Sequence, residues 1–255
     1  MAGGVRAVLA VSHPGHELLV HAWLSRVAPR VFVLTDGSGR SGASRLGTTT
    51  ALLQRAGVES GGLYGRHTDA ELYDALLEVQ SDFFVALARE LAKEIAAEVI
   101  EVVVGDAAEG FNPIHDAFRL TLNAAVDLAR VQSGREIESY DFPLFLPPGP
   151  AGTPHAIGLD LEHDERETKR REAAAYVELE REVEWSLKQH GRHAFDREWL
   201  RPVSEPAGAY PLADSPPVYE RYGEHLAHAG ELERVIRKDE HLMPIARALA
   251  VAARG

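Results

Sequence analysis

His13 and His16 stand three positions apart near the start of the chain, and His115 lies far downstream. A catalytic zinc usually takes three protein ligands, with nitrogen at about 2.0–2.1 Å, and keeps one position open for water or substrate. These histidines meet that count. The chain has no cysteine, which excludes disulfides, thiolate fingers and a Cys nucleophile, so a metal would have to be held by His and carboxylates. A bare His-x-x-His spacing also has a plainer explanation, a pair of capping or surface histidines. Glu17 and Asp106 are the nearby carboxylates that could accept a proton as general base. Asp106 and Glu109 could orient an imidazole by accepting its second N–H, or equally be solvated loop charges.

The elements needed to bring these residues together can be read from apolar periodicity. Arg6 to Val11 is an apolar run ending at Ser12-His13-Pro14-Gly15, and helical spacing of Leu18, Leu19, Ala22, Trp23 and Val27 follows. The run Val31 to Leu34 ends in the Gly/Ser-rich loop Thr35 to Gly42, with a helix expected through about Ala56. A weak third strand surrounds Leu63. Thr68 or Asp69 then caps a long helix to about Ala96, and Val99 to Val104 is a β-branched run bounded by Gly105. Pro113 suits a first helical turn, so Ile114 to Val131 is expected to be the next helix. Alternation of this kind predicts an α/β, three-layer, Rossmann-like and mostly parallel sheet with helices on both faces. Ligands bind such sheets at the carboxyl ends of the strands, where all three histidines fall.

Beyond about residue 140 the rhythm breaks. A Pro-rich segment, Phe142 to Pro154, precedes a charged helix from about Asp164 to His190, a loop-rich stretch from Pro202 to Pro217, and a final helix from about His241 to Ala253. The expectation is one domain over 1–255, with a core to about 140 and a helical and loop extension after it. With 39 acidic against 27 basic residues and a formal charge of −12, nucleic acid and anionic membrane are poor partners. Neither a signal peptide nor a run of about 18 apolar residues is visible, so a soluble, cytoplasmic chain is expected. Self-association into a homo-oligomer stays open.

The chain resembles the PIG-L/LmbE-like zinc deacetylases over roughly its first 130 residues, with a looser likeness around Glu167 to Ala174. That family opens on Ala-His-Pro-Asp-Asp-Glu, and Ser12-His13-Pro14-Gly15-His16-Glu17 stands in its place. Its second motif, His-Pro-Asp-His, is matched by Asn112-Pro113-Ile114-His115, and Thr35-Asp36-Gly37 with Arg45 is similar to its Thr-x-Gly loop and downstream arginine. The resemblance implies hydrolysis of an N-acetyl group on a sugar conjugate by a bound zinc or other divalent ion, with His13, His16 and His115 as the ligands. It also implies departures. An imidazole replaces a carboxylate ligand, the family's general base falls on Gly15, and Asn112 and Ile114 replace a His and an Asp. A three-His site lowers the pKa of bound water to about 7 in the best-known case. Glu17, Asp36 or Asp106 would then take the remaining proton transfer, or the chain has become a non-catalytic metal- or sugar-binding member.

Other motifs compete. Gly37-Ser38-Gly39-Arg40-Ser41-Gly42 fits the dinucleotide fingerprint G-x-G-x-x-G, but Glu59, at the right distance for the ribose, precedes the candidate strand instead of ending it. The same loop could carry Asp36, Arg40 or Arg45 toward a polar or anionic small-molecule substrate, and His67 and Asn112 join these as substrate-binding candidates. Alternating charges over Glu165 to Lys188 read as a solvated face. Tyr219-Glu220-Arg221-Tyr222-Gly223 suits sugar stacking or a subunit contact, with surface packing as the default.

Overall fold

The computed structural model describes residues 5–39, 42–144, 156–191, 195–210 and 216–254. Strands β1 (Ala7–Val11), β2 (Arg30–Thr35), β3 (Ser60–His67), β4 (Val102–Asp106), β5 (Glu138–Phe142), β6 (Ile157–Asp160) and β7 (Arg197–Pro202) form one sheet in the order β3-β2-β1-β4-β5-β7-β6. The first five are parallel, while β7 runs antiparallel to β5, and β6 antiparallel to β7. This is the expected Rossmann-like α/β architecture. Every residue of β1 is buried. Val8 and Ala10 join one core, with Phe84, Leu91, Phe118 and Leu249, whereas Ala7, Leu9 and Val11 join another with Trp23, Leu24, Leu52 and Leu200. A strand covered on both faces has to be a continuous apolar run, which is why β1, β2 and β4 stand out in the sequence.

The helices are α1 (His21–Val27), α2 (Leu46–Ala56), α3 (Asp69–Leu77), α4 (Ser81–Ala97), α5 (Pro113–Ser133), α6 (His163–Ala175), α7 (Glu180–His190), α8 (Val218–His228) and α9 (Met243–Ala253). Several boundaries depart from the sequence-based expectation. The long helix to Ala96 is two, α3 and α4, because the chain turns at Val79 with φ 48°. Val99, with φ 59°, closes the end of α4, and the strand begins at Val102 and runs on through Gly105 to Asp106. The charged helix is interrupted at Tyr176–Leu179, and the Tyr219 cluster belongs to α8, where an aromatic–charged surface patch was expected. The extension is not peripheral. It supplies β6 and β7, and Leu242, Ile245, Ala246 and Leu249 of the C-terminal segment enter the core shared with α4 and α5.

Helix α5 is buried almost all round from Pro113 to Val126. It lies against β4 so closely that a Cβ on Gly105 would stand 2.6 Å from Leu122 Cδ2 and 2.7 Å from the Ala10 carbonyl oxygen. That glycine lets the helix bearing His115 sit on the strand that ends in Asp106.

Candidate metal and acyl-transfer site

The strand order places β2 on one side of β1 and β4 on the other, so the connections leaving β1 and β4 diverge and open a crevice at their carboxyl ends. Ligands in open α/β sheets bind at such a switch point. His13 and His16 follow β1 there, and His115 occupies the first turn of α5 after β4. That turn is set by Asn112, whose Oδ1 accepts the Ile114 N–H at 2.8 Å, and by Pro113 at the first helical position.

The three rings pack edge to face. Their centroids are separated by 5.4 Å (His13–His16), 4.9 Å (His13–His115) and 4.7 Å (His16–His115). Three imidazoles on one tetrahedral zinc would have centroids about 5 Å apart. Among the described residues, no group of three or more His, Asp or Glu side chains already has the geometry of an assembled metal site. The fit therefore rests on donor chemistry and spacing. His13 and His115 are buried, and burial lowers the pKa of both, that of His115 well below the ordinary value with the charges of His16, His13 and Arg45 adding to it. Neutral imidazole is the form that binds metal. His13 Nε2 is buried with no hydrogen-bond partner.

Carboxylates stand behind two of the rings. His16 Nδ1 lies 2.9 Å from Asp106 Oδ2, which also accepts the Ser12 N–H at 2.7 Å and the Ser12 hydroxyl. Burial pushes the Asp106 carboxyl up, but His16 and the Ser12 donors outweigh it and hold the pKa below the usual range. His13 Nδ1 lies 2.8 Å from Thr35 Oγ1 and 3.0 Å from Asp69 Oδ1. Asp69 is held below the usual carboxylate range in the same way: burial opposes ionisation, and His13 with other donors prevails. In the sequence Asp69 is indistinguishable from a helix-capping residue. The cap itself is Thr68, which accepts the Glu71 N–H in a capping box.

The remaining candidates are spread around this centre. Glu17 is fully buried beneath the loop, with Oε2 accepting the Gly15 N–H at 2.7 Å and Oε1 the Thr49 hydroxyl at 2.8 Å. Burial raises its pKa. Arg45, half-buried at the start of α2, donates from Nε to the Gly37 carbonyl at 2.7 Å. Asp36 closes a local turn by accepting the Ser38 N–H at 2.9 Å. His67 stacks edge-on against Phe83. Arg40 lies outside the described residues. Glu59 precedes β3, as the spacing predicts, and the Gly39 N–H, which a dinucleotide fingerprint would aim at a pyrophosphate, donates instead to Asp69 Oδ2 at 2.6 Å.

One feature of the site has no signal in the sequence. Gly15 has φ 106°, and a Cβ built on it would overlap the Leu179 side chain and lie 3.4 Å from the Tyr176 ring. The extension therefore occupies the space that a longer side chain at position 15 would need. Tyr176 is buried and shares a hydrogen bond of 2.8 Å with the Thr49 hydroxyl that serves Glu17.

No protein-family model matches this sequence, and no curated protein matches it. Solved structures do resemble the fold. The crystal structure of the A40926 pseudoaglycone deacetylase Dbv21 aligns with TM-score 0.54 and 18% identity, over 83% of this chain and all of that one. A deacetylase triple mutant (Orf2*T) from the teicoplanin biosynthetic pathway aligns with TM-score 0.52 and 16% identity, over 78% of this chain and 97% of that one. At such identities the likeness is one of fold: the chain shares the α/β architecture of these structures.

Proposed function

We propose that this chain is a metal-dependent amide hydrolase of the PIG-L/LmbE type, removing an acetyl group from the amino group of a sugar-bearing small molecule. The observation that carries the reading is the trio of imidazoles at the switch point, His13 and His115 buried and His16 partly so, with His13 Nε2 unpartnered and carboxylates behind His13 and His16. The deacetylase-like fold supports it. His13, His16 and His115 would hold zinc or another divalent ion. When bound, such an ion polarises a carbonyl and brings the pKa of water toward about 7.

The protein's own groups divide the remaining work. Asp106 keeps the His16 Nδ1 proton in place and so fixes the ring's tautomer. Arg45 presents a half-buried cation beside the crevice, suited to a hydroxyl or anionic group of the substrate. Glu17 spends both oxygens on the scaffold, on Gly15 and Thr49, whereas Asp106 accepts from Ser12 and His16 at Oδ2 alone and its buried Oδ1 makes no hydrogen bond. Glu17 is therefore not free to shuttle a proton, and Asp106, buried and holding His16 through Oδ2, stands in for the missing base at position 15 only at the cost of that contact. Losing general-base assistance costs about 10²–10⁴ in rate, so slow turnover is expected.

The test is direct. Zinc measured by plasma mass spectrometry should be stoichiometric in the wild type and lost in His13→Ala, and the loaded protein should release acetate from some member of a panel of N-acetylated glycosides. Absence of metal in the wild type overturns the reading. Stoichiometric metal with no acetate release from any glycoside favours the second reading, a sugar-binding member without turnover, for which the filled space at Gly15 is the specific support.

A further inference from the structure

Asp69 opens α3 directly after its cap, a place where a carboxylate needs no role beyond complementing the helix dipole. Its side chain does more. Oδ1 lies at ion-pair distance, 3.0 Å, from His13 Nδ1 and makes no hydrogen bond, while Oδ2 accepts the Gly39 N–H at 2.6 Å. Both Asp69 and His13 are buried. Thr35 Oγ1 stands in hydrogen-bond geometry to His13 Nδ1 at 2.8 Å, but that hydroxyl also donates to the Ser12 carbonyl and accepts the Gly37 N–H, which leaves one neutral lone pair for the ring. A charged acceptor makes the stronger bond.

We propose that Asp69 is the positioning residue for His13 and that it ties the ring to the glycine loop over 36–39. The inference rests on the metal-site reading above. With Asp69 accepting at Nδ1, the proton resides there and the Nε2 lone pair is left free, which matches the unpartnered state of Nε2. The arrangement repeats on a different element what Asp106 does for His16, so two ligands derive their tautomer from carboxylates of separate strand ends. The second oxygen adds a coupling that Asp106 lacks. A substrate group that displaces the loop at Gly39 pulls on the same carboxylate that orients His13.

Asp69→Asn keeps the shape but offers one acceptor oxygen where two are used, so it cannot serve His13 and Gly39 together. Nitrogen NMR of the metal-free wild type should show His13 with its proton on Nδ1, and this tautomer should be lost or mixed in Asp69→Asn. Zinc affinity, measured by competition with a chromophoric chelator, should fall about 10–100-fold with the melting transition still cooperative. A wild-type His13 protonated on Nε2 overturns the proposal, as does a folded Asp69→Asn that binds zinc as tightly as the wild type. If Asp69→Asn does not fold, Thr35→Val decides: a proton kept on His13 Nδ1 without the hydroxyl supports Asp69 as the acceptor, and its loss overturns the proposal. A wild type that takes up no zinc sinks the metal-site reading alone, because the tautomer still tests Asp69.

Discussion

A carboxylate installed at position 15 would meet two obstacles at once. The backbone there has φ 106°, a region that L side chains avoid, and the Cβ would enter the volume of Leu179. Such strain costs on the order of 1–3 kcal/mol. Gly15→Asp, which introduces the carboxylate that PIG-L/LmbE-like deacetylases carry at the corresponding motif position, is therefore expected to lower stability by about that amount in urea unfolding without accelerating acetate release. Gly15→Asp with Leu179→Ala should recover the steric part of the loss, though not the part due to backbone conformation. A Gly15→Asp protein of wild-type stability and faster turnover would show that the loop and the extension yield easily, and that the space is not filled in any meaningful sense. The histidines themselves were legible because each follows an apolar run that ends abruptly. Asp69 and Leu179 were not. One has the type and position of an ordinary helix-start residue, and the other acts through a contact between segments some 160 positions apart, which no local pattern records.

Between elements, the spacing of His115 from the other two rings depends on how far α5 stands from β4. Gly105 sets that distance, since its missing side chain admits Leu122 on one side and the Ala10 carbonyl on the other. Gly105→Ala would push a methyl to within 2.6–2.7 Å of both, and overpacking of this kind costs about 1–3 kcal/mol. The substitution should lower the melting temperature and reduce zinc occupancy together, with stability and occupancy both recovered in part by Leu122→Ala. Unchanged occupancy in a destabilised Gly105→Ala protein would mean that α5 moves without carrying His115 away. Strands β1, β2 and β4 could be read because both of their faces are covered and polar residues have no place in them. Strands β5 (ESYDF) and β7 (REWLRP) are interrupted by polar residues, Glu138, Ser139 and Asp141 in one and Arg197, Glu198 and Arg201 in the other. They are as long as β1, β2 and β4 but lack the apolar run that marks a strand covered on both faces.

Across the whole molecule, the extension holds the loop that carries His13 and His16. Glu198 on β7 accepts the Ala22 and Trp23 N–H groups at the start of α1, each at 2.8 Å, and Lys169 on α6 bonds Glu198 and the Leu19 carbonyl, each at 2.7 Å. Lys169 and Glu198 are 3% and 2% exposed, so neither charge can fall back on water. Removing one partner of a buried pair costs about 3–5 kcal/mol because the other charge is stranded, whereas replacing both is often close to neutral. Lys169→Met should therefore be strongly destabilising in urea unfolding, and adding Glu198→Gln should restore part of the loss while the amide keeps an acceptor for α1. If instead the single and double variants unfold at the same urea concentration, Glu198 does not suffer from losing its cation, and the extension is held on by its apolar contacts at Tyr176, Leu179 and Leu200. The same reasoning bears on the site. With the loop pinned by β7 and α6 from one side and by Glu17 and Thr49 from below, the His13–His16 separation is a property of the assembled chain, so Lys169→Met should also loosen zinc, although it lies on neither strand end that bears a ligand.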